Sequence, residues 1–388
     1  MKRIMTVCLV LALAVTVSAK EEKFRKAEKK VQDQYIIVLN DDAGDDVAAL
    51  ADDLSRKHAG LLDHVYSKSL KGFSVKMSEG MARKLADDPR VAYVEEDGIV
   101  TADTTQTGAT WGLDRIDQRD RPLNGTFVYT NTGAGVKAYV IDTGILTTHT
   151  QFGGRAIHGR DTVNNDNDAT DCNGHGTHVA GTIGGSTYGV AKGVTLVAVR
   201  VLDCNGSGTN SGVIAGVDWV TADHAAGAPA VANMSLGGSA SSALDTAVRN
   251  SIADGVVYSV AAGNGNIFGF QANACNYSPA RVAEAITVSA TDSADKKASW
   301  ANYGTCVDIF APGVSITSSW YTSTTATNTI SGTSMATPHV VGVTALYKQS
   351  NPGATPQQVR DALVNNASLN KLTSIGSGSP NRLLFTNY

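Results

Sequence analysis

The sequence predicts two folding units. One is a large α/β domain, a doubly wound and mostly parallel sheet with helices on both faces; a small α+β domain precedes it. Three observations carry this. The first is a break in composition near residue 103: residues 20–103 hold 14 Lys/Arg and 18 Asp/Glu, whereas residues 104–388 hold 16 and 18 in more than three times the length, with Glu284 the only glutamate. A Lys- and Glu-rich segment thus gives way to one rich in Gly, Ser, Thr and Ala. The second is the alternation, in the long part, of continuous apolar runs with helical segments, the pattern of a parallel sheet covered on both faces. The third is a strand–helix–strand–helix–strand order in the short part.

The elements follow in order. Lys2 and Arg3 precede an apolar run from Met5 to Val17, and Val17-Ser18-Ala19 is a small-residue cleavage site, so residues 1–19 read as a secretory signal. The run is too short to span a bilayer, and no later stretch reaches spanning length. Residues 20–33 are charged and are expected to be a disordered leader. Gln34–Leu39 reads as a strand. Asp45–His58 has helical periodicity through Val47, Leu50 and Leu54. Gly72–Met77 alternates as a strand, Ser78–Leu85 is a second helix with Ser78 as its N-cap, and Val91–Glu95 closes the set. This order suits a ferredoxin-like sandwich with a folded part at about 34–100.

The long unit, residues 104–388, has core strands at Val136–Ile141, Leu196–Val201, Gly255–Ala261 and Ile286–Ala290, with helices at Gly212–Ala222 and Ala243–Ala253. In such sheets sites gather at the carboxyl ends of the strands. No further C-terminal domain is expected after Tyr388. The net charge of -4, with no basic stripe or polybasic run, argues against nucleic-acid and anionic-membrane partners. Of the five cysteines, Cys8 falls in the signal; Cys172, Cys204, Cys275 and Cys306 remain. An even number in an exported chain suggests two disulfides, and spacing alone permits three connectivities.

Three segments carry chemistry. Val140-Ile141-Asp142-Thr143-Gly144 puts a carboxylate at the end of a core strand. Asn173-Gly174-His175-Gly176-Thr177-His178 puts an imidazole at the start of a helix of small residues. Gly332-Thr333-Ser334-Met335-Ala336-Thr337-Pro338-His339 puts a serine at the start of another, with Pro338 read as lying in its first turn. A serine hydroxyl is a poor nucleophile until a base takes its proton. His175 can be that base, and Asp142 can fix its tautomer and stabilise the imidazolium. The start of the Ser334 helix offers backbone N–H groups to an oxyanion. Ala261-Ala262-Gly263-Asn264 offers a second donor, the Asn264 amide.

These segments resemble the subtilisin-like serine proteases, whose chain order Asp, His, Ser is the same. The proteinase K group, with its aqualysin-like bacterial members, is most similar. The resemblance rests on Trp111-Gly112-Leu113-Asp114-Arg115-Ile116-Asp117-Gln118-Arg119-Asp120, on the Asp171-Cys172 lead-in to His175, and on Asp203-Cys204-Asn205-Gly206-Ser207-Gly208. It covers residues 104–388, and residues 34–100 resemble the family's inhibitory propeptide.

The resemblance implies a secreted endopeptidase of broad specificity, acting as a monomer on proteins and peptides, with its own propeptide as inhibitor. The propeptide tail, Glu95 to Asp103, would lie in the cleft like a product and be cut near residue 103, leaving Thr104 first. It further implies that Ser235, Leu236, Gly237 and Gly238 line the S1 pocket, while Gly206, Ser207 and Gly208 pair with extended substrate backbone. The disulfides would be Cys172–Cys204 and Cys275–Cys306. Three structural calcium sites are implied: Asp161 with Asp166; Asp308 with the carbonyls of Ala283 and Ala285; and Asp114, Asp117 and Gln118. All are hard oxygen ligands. Two departures stand out. Asn124 replaces an acidic residue of some relatives at the third calcium site. The stretch Gly265-Asn266-Ile267-Phe268-Gly269-Phe270-Gln271 is longer than in relatives and implies an altered S1 rim.

Competing readings are weaker. Asp142-Thr143-Gly144 alone matches an aspartic-protease signature, but that chemistry needs two such carboxylates and no second Asp-Thr-Gly or Asp-Ser-Gly occurs. Cys172, His175 and His178 could ligate zinc only with a free thiol, which an exported chain disfavours. His178 and His339 are expected to be structural. An inactive peptide-binding homologue is the alternative of another class; Asp142, His175, Ser334 and Asn264 are the residues that decide against it.

Overall fold

The computed structural model describes residues 23–27, 30–100, 104–265 and 270–388. The expected signal, the cleavage point at 103 and most of the long S1-rim stretch fall outside them. The chain divides into two compact units on either side of residues 102 and 103. Among the described residues no helix is long and apolar enough to cross a membrane.

The first unit is a five-stranded sheet in the order β1-β5-β2-β4-β3 with two helices. Its elements are β1 (Phe24–Arg25), β2 (Lys30–Leu39), α1 (Val47–Lys57), β3 (Leu61–Tyr66), β4 (Gly72–Lys76), α2 (Glu79–Ala86) and β5 (Val91–Gly98). Ile37, Leu54, Phe73, Leu85 and Val94, all fully buried, join helices to sheet. Two features differ from the sequence reading. The charged leader is partly ordered: Phe24 is buried, β1 pairs in parallel with β5, and β2 begins at Lys30. β3 was not foreseen, because an exposed edge strand carries no alternation; five of its six residues are exposed. Ser78 stands at the N-cap of α2 but makes no side-chain cap bond.

The second unit is built on a nine-stranded sheet in the order β19-β20-β16-β15-β13-β11-β8-β10-β9, parallel except for β19. In chain order its elements are β6 (Thr104–Thr107), α3 (Trp111–Ile116), β7 (Thr126–Tyr129), β8 (Lys137–Asp142), β9 (Ala156–Asp161), α4 (His175–Gly184), β10 (Thr195–Arg200), α5 (Asn210–Asp223), β11 (Ala230–Met234), β12 (Gly238–Ser239), α6 (Ser242–Asp254), β13 (Val257–Ala261), β14 (Tyr277–Ser278), β15 (Ile286–Thr291), β16 (Ile309–Pro312), β17 (Ile316–Ser319), β18 (Thr327–Ile330), α7 (Thr333–Ser350), α8 (Pro356–Asn365), β19 (Ser368–Leu369) and β20 (Arg382–Leu383).

The sheet is buried on both faces, which is why its strands read as continuous apolar runs. Along β8, Ala138 and Val140 pack with Val179 of α4 and Val340 of α7, while Tyr139 and Ile141 pack with Val217 of α5 and Val248 of α6. Each of the valine and isoleucine side chains among them contributes about 1.5–3 kcal/mol on burial. Strand order reverses at β8: β10 lies on one side of it and β11 on the other. A crevice therefore opens at the carboxyl end of β8, the residue of which is Asp142.

Candidate active site

Asp142 ends β8 and is fully buried. Its Oδ1 accepts from Thr143 N (2.7 Å) and from His175 Nδ1 (2.7 Å). A carboxylate can only accept, so the proton sits on Nδ1 and Nε2 is left basic. Burial alone pushes the His175 imidazole down; the charge and hydrogen bond of Asp142, with the charge of Asp171 behind it, outweigh burial and raise its pKa. Its imidazolium is thereby stabilised.

His175 is the first residue of α4, whose three leading N–H groups lack helical partners. All three are satisfied by side chains. Asn173 Oδ1 accepts from His175 N (3.2 Å), Thr143 Oγ1 from Gly176 N (2.9 Å) and Asp171 Oδ2 from Thr177 N (2.9 Å). Gly174, at φ 110, makes the turn that a side chain would strain. His178 and His339 are structural, as expected: both are buried, with His178 Nε2 bonded to the carbonyl of Ile316 and His339 Nδ1 to that of Met335.

Ser334 is the second residue of α7. Its hydroxyl donates to the carbonyl of Ser235 (3.1 Å) and Ser235 Oγ donates back to the carbonyl of Ser334 (2.8 Å). Pro338 explains the second bond. It lies inside the helix, beyond the first turn where the sequence reading put it. With no N–H, it leaves the carbonyl four residues earlier, that of Ser334, without its helical donor. Ser235 fills the gap, held in turn by Asn233 Nδ2 (2.9 Å).

Asn264 follows β13 through Gly263, at φ 97. Its Oδ1 accepts from both Thr333 N and Thr333 Oγ1, each at 2.9 Å. The acceptor end being held, Nδ2 is the end left to donate. Asn302, fully buried, fastens this segment: Oδ1 accepts from Gly265 N (3.0 Å) and Ala272 N (2.8 Å), and Nδ2 donates to Ala262 O (2.9 Å).

Two cavities meet on the ledge Ser235-Leu236-Gly237-Gly238. One, of ≈ 480 Å³, is lined by His175 and by Gly206, Ser207 and Gly208. The other, of ≈ 520 Å³, is lined by Asn264 and Ser334. The sequence-derived groups thus converge on one cleft. Sequence reasoning did not single out Thr143, Thr333 or Asn302, whose partners are distant in the chain. It used Asp171 only as part of a motif.

The four cysteines form Cys172–Cys204 and Cys275–Cys306. The first ties the His175 loop to the Gly206-Ser207-Gly208 segment.

The residues named for calcium differ in how well they fit an ion. Asp117 Oδ2 accepts from Val128 N, but its Oδ1 is buried with no partner among the described residues. Burial, with the charge of Asp114 added, pushes the Asp117 carboxyl up to about 6. The buried Asp114 carboxylate is held by Asn124 N and Gly125 N, and Gln118 is oriented by the carbonyls of Asp120 and Pro122. Two adjacent carboxylates with an orphaned oxygen fit a divalent cation. Asp308 accepts from Thr287 N and pairs with Arg360, leaving lone pairs free. Asp161 accepts from Val163 N, Asn164 N, Asn164 Nδ2 and Arg200, which fills its four lone-pair sites, while Asp166 is exposed.

Comparison with known proteins finds relatives of both units. A model of the subtilase family, peptidase S8, matches residues 133–383, and one of the peptidase inhibitor I9 family matches residues 18–103. The chain is 62% identical over 325 residues to an extracellular serine proteinase of Thermus sp. (strain Rt41A), covering 84% of this chain and 78% of that protein. It is 54% identical over 341 residues to alkaline serine exoprotease A of Vibrio alginolyticus, covering 86% of this chain and 62% of that protein, so it spans less than two thirds of the latter. The crystal structure of a cold adapted subtilisin-like serine proteinase matches with a TM-score of 0.69 at 56% identity, over 73% of this chain and 100% of that one.

Proposed function

Because the chain belongs to the subtilase family and also carries a peptidase-inhibitor segment, we propose that it is a secreted serine endopeptidase of broad specificity, made as a zymogen that processes itself. The observation that carries this reading is the 2.7 Å bond from the imidazole of His175 to a fully buried Asp142, on the cleft that Ser334 and Asn264 also line.

The reaction follows from these groups. The Ser334 hydroxyl turns from the Ser235 carbonyl toward His175, which takes its proton as Oγ attacks the scissile carbonyl. Asp142 holds the Nδ1–H tautomer and stabilises the imidazolium. Asn264 Nδ2 and the Ser334 N–H donate to the oxyanion. The imidazolium then protonates the leaving amine, and a water activated by His175 releases the acyl group. Gly206, Ser207 and Gly208 pair with extended substrate backbone, while Ser235, Leu236, Gly237 and Gly238 line the S1 pocket; main-chain pairing gives affinity with little side-chain choice.

Residues 1–19 are the signal, 20–103 the inhibitory propeptide and 104–388 the catalytic domain. The I9 match and the charge break near 103 support this division. Calcium supplies structural charge neutralisation when bound. Asp114, Asp117 and Gln118 are the best-suited holders, and Asp308 with the Ala283 and Ala285 carbonyls a second set. At Asp161 and Asp166 binding would require Arg200 to release Asp161. The test is mass spectrometry of the full precursor and of its Ser334→Ala form in calcium. Cleavage near residue 103 in the first alone is expected; identical cutting of both assigns the cleavage to another protease, and no cutting of either with no peptide hydrolysis sinks the reading.

A further inference from the structure

Asp171 is a second buried carboxylate beside the general base, outside the triad. It is 4% exposed and, among the described residues, no Lys or Arg forms an ion pair with it. Five neutral donors surround it instead. Oδ1 accepts from Thr143 Oγ1, Asn173 N and Gly174 N, each at 2.9 Å; Oδ2 accepts from Thr177 N (2.9 Å) and Thr177 Oγ1 (2.6 Å). These partners lie on both sides of the catalytic pair. Thr143 is the residue after Asp142, and the other donors bracket His175 at positions 173, 174 and 177. Thr143 completes the link by accepting from Gly176 N with the hydroxyl that donates to Asp171.

We infer that Asp171 is a positioning residue for the hydrolytic reaction: one carboxylate locks the end of the Asp142 strand to the start of the His175 helix and lends its uncompensated charge to the imidazolium. Burying a charge without a cation is costly. Here the site meets the cost with five hydrogen bonds, none of which neutralises the charge. The charge therefore acts on a neighbouring group that becomes cationic, the His175 ring, whose pKa it raises together with Asp142.

The other titratable groups near this ring do not duplicate the effect. His178, on the same helix, and His339, on the packed helix α7, are driven by burial down to about 4 and stay neutral. Arg200, ending β10, pairs with Asp161 through Nη1, and its Nη2 lies against the Cys172 and Cys204 sulfurs; it forms no ion pair with Asp171 among the described residues. Asp142 and Asp171 are the two carboxylates that act on His175.

This inference rests on His175 being the general base, and the experiment separates the two. The full precursor is expressed and matured as wild type, Asp171→Asn, Asp171→Ser and His175→Ala, and the pH profile of kcat/KM on a peptide anilide is recorded with a thermal melt of each. Removing the charge is expected to move the acid limb to lower pH by roughly half to one unit and to lower plateau kcat about three- to ten-fold, because the same imidazolium is formed in the transition state. Asp171→Ser covers the case in which the asparagine amide, facing the Thr177 N–H, prevents folding. A folded neutral variant whose limb stays where the wild type's lies would overturn the inference, whatever its kcat, since geometry alone does not titrate. An active His175→Ala would instead overturn the assignment of the base. For a variant too slow to mature, the His175 ring is titrated by NMR in the Ser334→Ala background, with the same shift expected.

Discussion

Gly332→Ala tests the oxyanion site with little disturbance of the fold. Gly332 has an extended backbone (φ 170), which alanine adopts freely. A Cβ there would lie 3.4 Å from Met335 Sδ, 3.5 Å from Ser334 N and 3.6 Å from Asn264 Nδ2, all ordinary contact distances. The variant should therefore fold. Its stability should be unchanged, or raised by about 0.4–1 kcal/mol through the stiffer unfolded chain. The methyl nevertheless stands between the two donors assigned to the oxyanion, where an oxygen needs to approach to about 2.7–3.1 Å. Losing one such donor costs about 10²–10³ in kcat, a figure that comes from a subtilisin and is carried over from that relative. The expected result is a fall in kcat/KM of at least about 10²-fold, self-cleavage slowed alike, and a melting temperature within about 4 °C of wild type. Peptide-anilide kinetics, the half-time of precursor processing and calorimetry read the three quantities. Activity within about threefold of wild type would refute the reasoning, because the space between Ser334 N and Asn264 Nδ2 could then not be where the oxyanion forms.

Two other outcomes follow from single contacts. Ser235→Ala removes the hydroxyl that caps the Ser334 carbonyl, and Pro338 has no N–H to replace it. A loss of about 1–3 kcal/mol in urea unfolding is expected, and much less when Pro338→Ala restores the helical donor; strictly additive losses in that double-mutant cycle would show that the carbonyl is not the shared element. For Asp117 the folded pKa of about 6 lies above the ordinary carboxylate value, so without calcium its contribution to stability is present near pH 4 and lost as pH rises through 6. Calcium binds the ionised form, so the fall in melting temperature caused by a chelator should grow from pH 4 to pH 6. Asp117→Asn should flatten that dependence, and an unchanged dependence would place the ion elsewhere.

The sequence by itself determined the two-unit plan, the kind of many of the long elements and the three chemistry-bearing segments. Those signals are local. A run such as Ala138–Ile141 reads as a strand buried on both faces, and Asp142, His175 and Ser334 each stand where such a strand ends or a small-residue helix begins. The tertiary structure decided what depends on partners far along the chain or on a missing pattern. β3 is exposed on nearly every residue, so its membership of the sheet comes from backbone pairing with β4 and not from side-chain alternation. The Asp161 side chain looks like a calcium ligand in isolation, but Arg200 reaches it from 39 residues away. Ser235 caps Ser334 across 99 residues, and only the helix geometry shows that Pro338 made the cap necessary. Asp171 reads as motif filler until folding brings Thr143 and Thr177 to the same carboxylate, because a hydrogen bond across 28 residues leaves no periodic trace in the sequence.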